Sequence, residues 1–141
     1  MSNRLVAHVD GGARGNPGPA AIAAVLADPD GTVLDERSET IGRATNNVAE
    51  YRALLLALRR AEERKAETVE ILSDSLLLVQ QVNGIFKVRA PHLIPIVSDA
   101  IRRARSFRRF WIRHIPRERN RKADRLANLG ADASERRIQA T

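Results

Sequence analysis

The chain contains no cysteine. Disulfides and thiolate metal sites are therefore excluded, and a reducing compartment is compatible. No apolar run approaches the roughly 20 residues of a membrane span. The opening Met-Ser-Asn-Arg-Leu-Val-Ala-His-Val lacks the long apolar core of a signal peptide. These absences lead us to expect a soluble, cytoplasmic protein with no membrane partner. No Gly-Lys-Ser/Thr follows the early glycines, so a Walker loop is disfavoured. Their spacing is not Gly-x-Gly-x-x-Gly, so a dinucleotide fingerprint fails as well. Acids are scarce: 17 Asp+Glu stand against 24 Lys+Arg, for a net charge of +7 and a pI near 11.1. Such an excess favours polyanions through counterion release. The alternative is a charge that only solvates the surface. The excess is concentrated: from Arg102 to Arg125 there are ten arginines and Lys122, against only Glu118 and Asp124. At 141 residues and 43% hydrophobic content, one domain that buries about two-thirds of its unfolded surface is expected. There is no internal repeat, linker or low-complexity block.

The distinctive stretch is residues 8–18, His-Val-Asp-Gly-Gly-Ala-Arg-Gly-Asn-Pro-Gly. The apolar run Leu5 to Val9 ends in Asp10 and then breaks into glycines. This predicts a buried strand that delivers a carboxylate to its end and then turns away. Gly11, Gly12, Gly15 and Gly18 let a backbone or ligand come close. An acid at a strand end suits a hard cation, although Asp also opens turns.

The rest of the chain reads as β-β-β-α-β-α-α-β-α. Strands are predicted at Arg4–Val9, Ala20–Ala27 and 32–41, joined by the turn signal Asp28-Pro-Asp-Gly31. A helix to about Lys65 carries Val48, Tyr51, Leu54, Leu55 and Leu58 on one stripe. Glu50 sits at the stripe's edge, and Asn47-x-x-Glu50 also resembles a capping box. Thr68–Leu72 is a short strand ending at Ser73-Asp74-Ser75. Asp74 or Ser73 is equally suited to cap the helix Leu76–Val82, which Asn83-Gly84 closes. A further helix is expected from Pro91 to about Arg105, with Pro95 bending its start. Period-two alternation marks Phe107–Ile115 as the fifth strand. A last helix is expected from about Asn120 to near Gly130, with Asp124 in its first turns. A meander followed by β-α-β units implies an α/β fold, with a mixed five-stranded sheet and helices on both faces.

Asp10 and Asp74 both end strands, and Glu50 and Asp124 lie in first turns of helices. Four converging carboxylates would repel and need cations. Four blocks now carry a resemblance: Asp10-Gly-Gly-Ala-Arg-Gly-Asn16-Pro-Gly-Pro, Thr45-Asn46-Asn47-Val48-Ala49-Glu50, Ser73-Asp74-Ser75, and Asn120-Arg-Lys-Ala-Asp124-Arg-Leu-Ala-Asn. In this order and spacing the chain resembles ribonuclease H of type 1, over about residues 3–132.

The resemblance implies a ribonuclease H-like catalytic domain at residues 1–132 and a polar, fraying tail at 133–141. It implies an endonuclease that hydrolyses the RNA strand of RNA–DNA hybrids through two Mg²⁺ ions, with Mn²⁺ as a substitute. The products would carry 5′-phosphate and 3′-hydroxyl ends. The metal ligands would be Asp10, Glu50, Asp74 and Asp124. His114, ten residues before Asp124, matches the family's mobile histidine, without the glycine-rich loop of the best-known members. Asn16, Asn46 and Asn47 match minor-groove contacts, and Thr45 matches a hydroxyl that holds a DNA-strand phosphate. Leu76 replaces a common glutamine. Gly84–Pro91 is too short for the basic protrusion of some members, which places the chain in the compact subgroup, expected as a monomer. A resolvase-like DNA nuclease and a catalytically silent hybrid-binding module are the competing readings.

Overall fold

Ala20 to Leu26 is apolar throughout and almost wholly buried. A strand buried on both faces belongs inside a sheet, with cover on each side. The computed structural model describes residues 3–140, with side chains as far as Gly130. Its elements are β1 (Arg4–Ala13), β2 (Gly18–Ala27), β3 (Val33–Ala44), α1 (Asn46–Glu63), β4 (Thr68–Ser73), α2 (Leu76–Val82), α3 (Ile94–Ser106), β5 (Arg109–His114) and α4 (Arg121–Ala140). A 3₁₀ turn, Arg117–Arg119, precedes α4. The sheet order is β3-β2-β1-β4-β5. β1 pairs antiparallel with β2 and parallel with β4, and β4 pairs parallel with β5. This is the mixed five-stranded sheet that the pattern predicts. Among the described residues no helix is long and apolar enough to cross a membrane.

α1 packs on β1 and β2, and α3 packs against α1. The buried face of α1 is wider than its leucine stripe. Ala49, Ala53, Ala57 and Ala61 form a fully buried ridge at four-residue spacing, and small side chains let the helix lie close to the sheet. Tyr51 is buried too, and its hydroxyl donates to Gln81 Oε1 at 2.9 Å. Val48, expected on the stripe, is only partly buried. α4 covers β1, β2 and β3 from the other side.

Several boundaries differ from the pattern. β1 does not stop at Val9, because Gly11 and Gly12 still pair with Ile22 and Ala21 of β2. α3 starts at Ile94 with Pro95 in its first turn, so the proline opens the helix and does not bend it. Phe107 ends α3 and β5 begins two residues later. α4 continues through Gly130 to Ala140 in place of the expected frayed tail. Gly130 is a packing glycine: a Cβ there would come within 2.8 Å of Ala21 Cβ and 2.9 Å of Ser38 Oγ. Ser38 Oγ also donates to the Leu126 carbonyl at 2.8 Å, fastening α4 to β3.

Candidate active site

The parallel ladder between β1 and β4 ends at the pair Val9 and Ser73. Asp10 and Asp74 are the next residues on adjacent parallel strands, so they share one rim. Gly11 then admits the start of α1. A Cβ at Gly11 would stand 2.3 Å from the Ala49 carbonyl oxygen and 2.8 Å from the Glu50 nitrogen. This close approach brings Glu50 to Asp10.

Neither helix cap uses an acid. Thr45 Oγ1 accepts from the Val48 N–H at 3.2 Å and caps α1. The capping-box reading of Glu50 is therefore replaced: its carboxylate takes a hydrogen bond from Ser75. Ser75 Oγ also accepts from the Leu78 N–H at 3.2 Å and caps α2, so Asp74 takes no part in the cap. Asp124, in the first turn of α4, lies 3.8 Å from Arg117 and is hydrogen-bonded to Asp10.

All four acids line one cleft of about 470 Å³, together with Gly11, Gly12, Arg14, Asn46, Arg117 and Asn128. Crowding shows in their proton affinities. Burial, the Asp74 charge, the Asp124 hydrogen bond, and the Asp124 and Glu50 charges push the Asp10 carboxyl up to about 8. Burial raises Glu50 to about 6, with the Ser75 hydrogen bond opposing and the Asp74 charge adding.

Oxygen-only acidic donors suit a hard divalent cation, and buried like charges need a counter-charge. The donor set therefore fits a metal such as Mg²⁺. Among the described residues, no three acidic or histidine side chains form a ready-made ligand set. Asp10 and Asp124 instead share a hydrogen bond, which the raised proton affinity of Asp10 allows.

The expected nucleic-acid contacts surround this cleft unevenly. Asn46 Oδ1 accepts from the Ala13 N–H at 2.8 Å, and Asn16 Oδ1 accepts from the Asn46 N–H at 3.1 Å. These two amides tie the β1–β2 turn to α1 and keep exposed NH₂ groups. Asn47 is half-buried in the first turn of α1. His114 closes β5 beside Ser73 and is exposed, but it does not line the cleft. Leu76, at the glutamine position of the resemblance, is 50% exposed.

One residue lay in a quoted motif without a role. Asn120 is 1% exposed, and its Nδ2 donates to the Val9 carbonyl at 2.9 Å and reaches Asp74 Oδ2 at 3.5 Å. Its position four residues before Asp124 was the available signal. Nothing in the sequence says that the amide turns inward.

A family model described as "Reverse transcriptase-like" matches residues 8–130. The bifunctional protein Rv2228c of Mycobacterium tuberculosis is 47% identical over 132 residues, 93% of this chain and 36% of that protein. The chain thus spans about a third of that relative's length. The solved N-terminal RNase H domain of Rv2228c superimposes with a TM-score of 0.94 at 46% identity, covering 97% of this chain and 99% of that one. Ribonuclease HI of Halobacterium salinarum is 42% identical over 129 residues, 92% of this chain and 65% of that protein. LC11-RNase H1, solved in complex with an RNA/DNA hybrid, superimposes with a TM-score of 0.87 at 39% identity, covering 92% and 98% of the two chains. A match of this extent, on a sheet of this order, means that the chain belongs to the ribonuclease H family.

Proposed function

We propose that the chain is a divalent-metal-dependent endonuclease that hydrolyses the RNA strand of RNA–DNA hybrids, leaving 5′-phosphate and 3′-hydroxyl ends. The observation that carries this reading is the gathering of Asp10 from β1, Glu50 from α1, Asp74 from the β4–α2 turn and Asp124 from α4 into one cleft. The hybrid-bound relative supports the substrate class.

Asp10, the most crowded acid, would touch both ions of a pair, with Glu50 and Asp74 favouring one and Asp124 the other. When bound, Mg²⁺ or Mn²⁺ supplies charge neutralisation at the scissile phosphate, an activated water for in-line attack and stabilisation of the departing 3′-oxygen. The protein supplies position. Ser75 orients Glu50, which is suited to accept a hydrogen bond from a 2′-hydroxyl and so to sense RNA. The NH₂ groups of Asn16 and Asn46 face minor-groove acceptors, since their oxygens are already engaged with backbone, and Asn47 joins them. The Thr45 oxygen accepts from Val48, so its proton is left for a DNA-strand phosphate. His114, on the same rim, moves a proton on the leaving side or helps product depart.

One gel tests the proposal: labelled RNA–DNA hybrid, RNA duplex and DNA duplex, each with Mg²⁺ or chelator. Cleavage of the hybrid's RNA strand, with Mg²⁺ alone, is expected. Intact hybrid under every condition, or cutting of the DNA duplex, defeats it.

A further inference from the structure

The half of the sheet that α4 leaves uncovered carries a second charged surface. α4 lies over β1, β2 and β3, whereas Glu70, Leu72 and Trp111 on β4 and β5 are part-exposed and Arg109 and Arg113 are exposed. Side chains alternate along a strand. Ile112 is in the core and Phe110 packs against it, so Arg109, Trp111 and Arg113 share the outer face. Two contacts agree. Arg113 Nε lies 3.7 Å from Glu70 Oε2. Arg109 and Trp111 line a cavity of about 290 Å³ with Arg4, Glu67, Thr68 and Arg108. Arg4, Arg108 and Arg109 have no ion-pair partner among the described residues. Two acids, Glu67 and Glu70, face four arginines.

This row runs from the sheet rim that carries Asp74 to the opposite rim. Arg113 precedes His114, whose ladder partner Ser73 adjoins Asp74. Arg113 to Arg109 spans roughly 13 Å at the usual strand rise, and Arg108 and Arg4 extend it. Cations flanking an aromatic face are what proteins use for unpaired polynucleotides: phosphates meet the arginines and a base stacks on the ring. An acidic peptide would satisfy the arginines but leave the indole unused.

We propose that the outer face of β5 is a docking track for single-stranded nucleic acid, with one base on Trp111 and phosphates along Arg113, Arg109, Arg108 and Arg4. It rests on the nuclease reading only for the strand's source, the unpaired tail beyond a bound hybrid.

Trp111 is the sole tryptophan, so its fluorescence reports this surface directly. The full chain, without metal, is titrated with a short single-stranded oligonucleotide, and in parallel with polyglutamate. Saturable quenching by the oligonucleotide, weakened by salt and absent with polyglutamate, is expected. The double variant Arg109→Gln/Arg113→Gln should bind a labelled oligonucleotide about tenfold or more weakly. Circular dichroism checks that it folds. It should cut blunt hybrid at the original rate but lose the affinity that a single-stranded tail adds. An unchanged Trp111 signal at saturation, equal affinity in the variant, or equal quenching by polyglutamate overturns the proposal. Quenching by a chain that cuts no hybrid would instead defeat the nuclease reading and leave this surface standing.

Discussion

Asn120 Nδ2 donates to the main-chain carbonyl of Val9 at 2.9 Å, across 111 residues of sequence. The amide's orientation is forced, because a carbonyl only accepts and the NH₂ must face it. Asn120 Oδ1 is consequently buried with no partner among the described residues. The Asn120 carbonyl also accepts the first hydrogen bond of α4, from the Asp124 N–H at 3.0 Å. One residue therefore joins the strand end carrying Asp10, the Asp74 carboxylate and the helix carrying Asp124.

Removing that amide should loosen the site as well as the fold. Asn120→Ala is expected to cost about 2 kcal/mol, since it strands the Val9 carbonyl. Asn120→Asp should cost more, because a carboxylate would confront both that carbonyl and Asp74. Denaturant unfolding measures the order. Cleavage should fall in both variants while hybrid affinity holds. An Asp variant as stable as the Ala variant would contradict this account of the amide.

Asp10→Asn should abolish cleavage, by about a thousandfold or roughly 4 kcal/mol of barrier, yet leave hybrid binding intact. Binding draws on Asn16 and Asn46, neither of which the change touches. Single-turnover cleavage beside a binding titration separates the two. Wild-type cleavage by the variant would defeat the metal assignment.

Asp10 and Asp74 were legible in the sequence because apolar runs that stop at an acid put that acid at a strand's end. The parallel pairing of β1 and β4 then follows from the β-α-β order. Glu50 was legible only through the resemblance, not from its own helix. Asn47-x-x-Glu50 and Thr45-x-x-Val48 offer rival helix starts, and the choice turns on which backbone is extended, here Thr45. Gly130 misled for a related reason. A glycine that ends a helix and one that lets it touch a sheet read alike, and only the 2.8 Å approach of Ala21 separates them. The inward turn of Asn120 has no local signature at all, since its partner lies on β1.

The raised proton affinities make a prediction about pH. Asp10 holds its proton up to about 8 when folded, against an ordinary value of 3.8, and Glu50 moves from 4.5 to about 6. Between those limits the folded chain binds more protons than the unfolded chain. Without metal, stability therefore falls as pH rises from about 4 to about 8. Asp10→Asn should flatten that slope and raise stability near pH 8 by roughly 1–2 kcal/mol. Denaturant midpoints in chelator at about pH 5 and about pH 8 decide it. A wild-type slope no steeper than the variant's would show that the carboxyls are not crowded. Mg²⁺ should flatten the wild-type slope by supplying the missing counter-charge.

Two neighbouring glycines should respond to very different degrees. At Gly11 an added Cβ meets the Ala49 carbonyl oxygen at 2.3 Å and the Glu50 nitrogen at 2.8 Å. Those are backbone atoms in the first turns of α1, so the helix itself must move. Gly11→Ala is expected to cost about 2–3 kcal/mol, in the range of overpacked cores. It should also reduce cleavage in the molecules that remain folded, because the displaced turn carries Glu50. At Gly12 the nearest atom to an added Cβ is Asn46 Oδ1 at 4.0 Å, and its φ is not positive. Gly12→Ala should therefore change stability by less than about 1 kcal/mol. Thermal unfolding of the two variants side by side, with cleavage assayed well below each midpoint, makes the comparison. Equal losses would mean that the glycines serve only the turn after β1. A selective loss at Gly11 would show that contact between strand and helix holds Glu50 at the cleft.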